Sequence, residues 1–146
     1  MTNGELAREL YLQLLRTNMT FRQTIQRILR RHNFDMTFEM LQILYRLWAE
    51  QGVSQQYLAE KTAKDKACLT HLVNNLEKRG WVIRRKDMKD QRSKLIFLTP
   101  EGEHMVSRLR PLINEVYGHA GEKMGPEMML SCLDGLKKLD EGFDEV

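Results

Sequence analysis

A chain of 146 residues, 42% apolar and 29% charged, has the length of one domain and enough apolar material for a core, which excludes global disorder. No apolar run approaches the roughly 18–20 residues that span a bilayer, the N-terminus is polar rather than a secretion signal, and Cys68 and Cys132 form neither a disulfide framework nor a metal knuckle. A cytoplasmic protein, off the membrane and with both thiols reduced and packed, is therefore expected.

Leu6, Leu10 and Leu14, then Phe21, Ile25, Ile28 and Leu29, recur at helical spacing. They predict a first helix over residues 5–31, with Asn18 and Thr20 marking a bend and a loop at 32–36. Thr37 caps a second helix over 38–50, whose apolar face is Leu41, Leu44, Tyr45 and Trp48, and Gly52 ends that segment. Ser54 caps a short third helix to about Thr62, with Tyr57 and Leu58 inward. Ala63 and Lys64 make a tight connection, Asp65 caps a fourth helix to Arg79, and Gly80 stops it. Trp81, Val82 and Ile83, a polar turn over 87–93, and the run 95–98 read as a β-hairpin. Thr99-Pro100 starts a long fifth helix, which Pro111 should kink, and Gly125-Pro126 starts a sixth with Met129, Leu133, Leu136 and Phe143 on one face.

A short helix, a tight turn and a second helix form a helix-turn-helix, whose second member enters the major groove. The fourth helix suits that task on both sides. Leu69, Leu72, Val73 and Leu76 make a packing stripe, and Ala67, Thr70, His71, Asn74 and Lys78 share another face. Thr70, His71 and Asn74 can donate to bases or phosphates, and Asn is well matched to adenine through a bidentate contact. Any amphipathic helix has a polar face, so this alone decides little.

The charge distribution and the hairpin add to it. Residues 61–94 hold eleven Lys or Arg against four Asp or Glu, between a nearly neutral and an acidic flank. Lys64 and Lys66 lead into the fourth helix, and Arg84, Arg85, Lys86, Lys89, Arg92 and Lys94 line the hairpin. Such a projection suits phosphate contacts, and an Arg at its tip suits a narrow minor groove. Asp90, two residues before Arg92, either holds that guanidinium in a bidentate pair or serves as an ordinary turn residue.

Residues 90–102 read Asp-Gln-Arg-Ser-Lys-Leu-Ile-Phe-Leu-Thr-Pro-Glu-Gly. This run resembles the wing signature of the MarR family, Asp-x-Arg, an apolar strand, then Leu-Thr-x-x-Gly. Upstream, Leu76-Glu77-Lys78-Arg79-Gly80 with Trp81, Val82, Ile83 and Arg84 is similar to the family's recognition-helix exit. The resemblance implies a mainly α winged helix-turn-helix with a small β-hairpin wing, acting as a homodimer on pseudo-palindromic double-stranded DNA. It implies one MarR-type domain, with dimerisation helices at 1–35 and 104–146 and the winged helix at 36–103. Carried onto this chain, the base-reading positions are Ala67, Thr70, His71 and Asn74, and the wing pair is Asp90 and Arg92. Ser or Thr is common in the family near Ala67 and Cys68, and Arg at the place of His71, so the operator sequence does not follow. The resemblance further implies a small aromatic effector, with Tyr11, Arg16, Met19, Phe21, Tyr45, Trp48 and Tyr117 as candidate linings; the same aromatics also read as core packing.

The apolar faces of the terminal helices support the dimer independently, because a winged helix of roughly 60 residues cannot cover them. No nucleophile elbow, phosphate loop or metal motif is present, so neither an enzyme nor a cofactor is expected. The only cluster of metal-ligating types, a loose one of Glu101, Glu103 and His104, comes without a close His pair at i, i+4. Cys68, near Lys64 and Lys66, is a redox hypothesis, and His71 a pH hypothesis. The remaining alternative is a winged-helix module for protein–protein interaction, which would not need a cationic wing.

Overall fold

The helix starts form where the sequence supplies an acceptor. In the computed structural model, which describes residues 1–146, Thr37 Oγ1 accepts from the Met40 N–H at 3.2 Å, Ser54 Oγ from Tyr57 at 3.1 Å and Asp65 Oδ1 from Cys68 at 2.7 Å. Each satisfies a first-turn donor that the helix itself leaves unpaired. The element order is α1 (Asn3–Arg31), α2 (Phe38–Ala49), β1 (Val53–Ser54), α3 (Gln55–Lys61), α4 (Lys66–Lys78), β2 (Val82–Lys86), β3 (Lys94–Leu98), α5 (Pro100–Met124) and α6 (Pro126–Asp144).

Two local expectations are corrected. Helix α1 starts two residues early, because Thr2 and Glu5 form a capping box: Thr2 N–H donates to Glu5 Oε2 at 2.9 Å and Glu5 N–H to Thr2 Oγ1 at 3.1 Å. It continues as helix through Asn18 and Thr20, where the Thr20 and Thr24 hydroxyls donate back to the carbonyls of Arg16 and Thr20. On α2, Phe38, Met40, Ile43 and Leu47 are buried alongside Leu41 and Leu44, whereas Tyr45 and Trp48 are only half-buried. The helix is covered on more than one side, so a single amphipathic stripe underestimates its core.

The chain forms two compact units, Gln26–Pro111 on the one hand and Met1–Ile25 with Leu112–Val146 on the other. The first is the winged helix. Its antiparallel sheet has the order β1-β3-β2, with Val53 opposite Ile96 and Val82 opposite Leu98. The two-residue strand β1 was not expected, being too short to show alternation. Leu44, Leu47, Leu58, Leu69, Val73, Leu76, Val82, Ile96 and Val106 pack into one core from α2, α3, α4, β2, β3 and α5, with Val53 of β1 against it. The turn between α3 and α4 closes on Ala63, which is left-handed at φ 53°, and on the Lys64 N–H donating to the Ala59 carbonyl at 2.9 Å.

The second unit is helical. Phe21 of α1 stacks on Tyr117 of α5 with ring centroids 5.3 Å apart, and Tyr11 meets Phe143 of α6 edge-on at 6.4 Å. Not one residue of α6 is buried.

Candidate DNA-binding surface

Helix α4 is divided as its spacing requires. Leu69, Leu72, Val73 and Leu76 are buried, and Ala67, His71, Asn74 and Lys78 are exposed. Thr70, between the two sides, is half-buried: its hydroxyl donates to the Lys66 carbonyl at 2.9 Å and accepts from Gln55 Nε2 at 2.5 Å. The first residue of α3 thus fixes a side chain on the reading face of α4. Gln55 escaped the sequence reading because no periodicity joins residues fifteen positions apart.

The predicted cations divide into two groups. Lys66, Lys78, Arg85, Lys86, Arg92 and Lys94 are exposed and available to phosphate. Lys64 is half-buried, and its ammonium donates to Gln42 Oε1 of α2 at 2.7 Å, tying the helix-turn-helix corner to the helix behind it. Arg84 is also held inside the unit. Alternation along β2 puts Val82, Arg84 and Lys86 on one face of the strand, and Val82 is core. Arg84 therefore turns toward α4, where it pairs with Glu77 at 3.1 Å and donates to Asn74 Oδ1 at 2.7 Å. Arg85, on the other face, lies over the Phe97 ring at 5.6 Å. The signal for Arg84 was present: opposite charges at 77 and 84 flank the Gly80 turn that folds β2 back along α4.

At the wing, Lys86 and Lys94 are direct cross-strand partners. Two like charges in that position repel in the free protein, at a cost of a few tenths of a kcal/mol to about 1 kcal/mol, and a phosphate between them would relieve it. The tip is set by two Asp turns. Asp87 Oδ1 accepts from the Lys89 N–H at 2.9 Å, and Asp90 Oδ1 from the Arg92 N–H at 3.1 Å. Of the two readings open for Asp90, the structure gives the turn: the carboxylate binds the Arg92 backbone rather than its guanidinium. His71 Nε2 lies 3.3 Å from Asn75 Nδ2 on the same helix.

Neither cysteine is packed, contrary to expectation; both are exposed. Cys68 precedes Leu69 by one residue, about 100° around the helix, and so stands off the covered stripe. Cys132 lies on α6.

The family model described as MarR family matches residues 37–94, from the cap of α2 to the start of β3. The chain carries a MarR-family domain. Its relatives extend the likeness beyond the winged helix. Over 137 residues it is 27% identical to an uncharacterised HTH-type transcriptional regulator of Bacillus cereus, covering 88% of this chain and 90% of that one. Over 97 residues it is 36% identical to the HTH-type transcriptional regulator FarR of Neisseria gonorrhoeae, 66% of each chain. The crystal structure of NadR in complex with 4-hydroxyphenylacetate is similar with a TM-score of 0.77 and 29% identity, over 88% of this chain and 89% of that one. With this domain and these relatives, the protein is a winged-helix transcriptional regulator, and none of its helices is long and apolar enough to cross a membrane.

The effector residues expected from the MarR resemblance fall in both units. Tyr11, Arg16, Met19 and Tyr117 belong to the helical unit and are exposed; Tyr45 and Trp48 belong to the winged unit and are half-buried, with Arg110 over the Trp48 ring at 5.2 Å. Within the helical unit a groove of about 570 Å³ runs along Tyr117, Gly121, Pro126 and Met129, sharing only Tyr117 with that set.

Proposed function

We propose that the protein is a cytoplasmic, homodimeric repressor that binds a pseudo-palindromic operator and releases it on binding a small aromatic acid. The reading is carried by one arrangement: an exposed, small and polar face on α4 beside a wing with five exposed cations, Arg85, Lys86, Lys89, Arg92 and Lys94. The helix face suits base edges, and the wing suits phosphate and the minor groove. Lys86 opposed to Lys94 favours a polyanion such as the DNA backbone.

Apolar surface on the helical unit supports the dimer. Leu6, Leu10, Leu15, Met128, Leu130 and Leu133 are each at least 44% exposed there. Burying such a surface in a two-fold interface removes it from water at roughly 25 cal/mol per Å². The same symmetry sets two copies of α4 about 34–36 Å apart, one turn of DNA. The similarity to NadR, whose structure holds 4-hydroxyphenylacetate, supports an aromatic acid as the releasing ligand, with Arg16 to meet its carboxylate.

Nuclease footprinting over the chain's own promoter tests the reading. Two protected half-sites one turn apart, lost on adding millimolar 4-hydroxyphenylacetate, are expected. Protection of a single half-site by a monomer would overturn the dimer, and protection unaffected by aromatic acids would overturn the release mechanism.

A further inference from the structure

Arg84 fixes which way the amide of Asn74 faces. A guanidinium has donors and no acceptor, so the Asn74 group at 2.7 Å must be the oxygen, and the –NH₂ points away from Arg84. The Arg84 side chain is only 15% exposed and is anchored a second time by Glu77, so it is not free to follow a rotating amide. Asn74 itself is exposed on the reading face of α4.

An unconstrained Asn takes adenine with both of its groups, accepting from N6 and donating to N7. Here the oxygen already accepts a charge-assisted bond, which makes it a poorer second acceptor, while the same bond polarises the amide and makes its N–H groups better donors. We propose that Arg84 is a positioning residue that makes Asn74 a donor only. Asn74 then reads an acceptor edge, guanine O6 and N7 or thymine O4, in preference to adenine. The inference rests on the operator reading above and names the base class of one contact within it.

Selection of binding sites from a randomised duplex library tests this. Asn74→Ala first locates the operator position that Asn74 reads, as the one whose preference it abolishes. At that position the native protein should favour guanine or thymine over adenine by about tenfold. Arg84→Met keeps the aliphatic stem and frees the amide, and should shift the preference toward adenine. Should Arg84→Met not fold by circular dichroism, Glu77→Ala decides: it removes the second anchor of Arg84, lets the Asn74 amide turn, and should shift the preference toward adenine. Adenine at that position in the native protein, or a preference that neither variant moves, overturns the inference alone. Enrichment of no sequence by the native protein overturns the operator reading and this inference with it.

Discussion

The carbonyl oxygen of Trp81, at the entry to β2, lies where a Cβ on Gly102 of α5 would have to be. The approach is forced by two bonds at the end of the wing: the Thr99 N–H donates to that same carbonyl at 3.0 Å, and the Thr99 hydroxyl to the Gly80 carbonyl at 2.6 Å. The Thr99 hydroxyl also accepts from the Gly102 N–H at 3.0 Å, capping α5. Thr99 and Gly102 thus join recognition-helix exit, wing and α5 into one corner. Because the obstruction is backbone, it cannot rotate away. Gly102→Ala should lower the unfolding free energy by about 3 kcal/mol, through overpacking. Urea denaturation measures it; a loss below about 0.5 kcal/mol would show that the corner is slack.

Asp65 starts α4, and replacing it separates the cap bond from the charge. Asp65→Ala loses the bond to the Cys68 N–H and should cost about 1 kcal/mol of stability, while Asp65→Asn should cost only a few tenths. Thermal unfolding of the two variants checks this; equal losses would mean that charge at the helix N-terminus, rather than the hydrogen bond, matters there.

The wing turn predicts a contrast at Asp90. If its oxygen serves the Arg92 backbone, an amide can replace the carboxylate. Asp90→Asn should bind operator at least as tightly as the native chain, having lost a charge that repels phosphate. Asp90→Ala should bind about tenfold more weakly as the tip loses its shape. Anisotropy titrations in the same buffer decide it, and equal weakening by both substitutions would restore a guanidinium pair as the role of Asp90.

How much of this was legible in the sequence follows from the range of each interaction. The caps Thr37, Ser54 and Asp65 act over three residues and could be read directly. So could the buried stripe of α4 and the hairpin, whose periods are local. Arg84 and Lys64 were grouped with free cations, because their partners Asn74, Glu77 and Gln42 meet them only once β2 and α2 pack against α4 and its turn. The exposure of Cys68 and Cys132 was likewise hidden, since composition marks cysteine as buried but only the packed fold says which side of a helix is covered.

Tyr117, packed on Phe21, offers a check on the helical unit. The ring is more than half exposed, but the side covered by Phe21 is desolvated, which disfavours the phenolate and raises its pKa above the ordinary 10.0. Since the folded value is the higher one, this contribution to stability is complete below pH 10 and declines as pH rises through the folded value. In a difference titration against Tyr117→Phe, followed by phenolate absorbance, Tyr117 should ionise after an exposed tyrosine. Ionisation at or below pH 10 would mean that the contact with Phe21 does not desolvate the phenol.

The central claim is that α4 and the wing bind duplex DNA together. The most direct measurement is fluorescence anisotropy with the chain's own promoter across a salt series, native protein against Arg92→Ala. Tight binding whose log affinity falls linearly with log salt, weaker and with a slope shallower by about one for Arg92→Ala, is the predicted result. No binding to any duplex at low salt, or an affinity indifferent to salt and to Arg92, would contradict it.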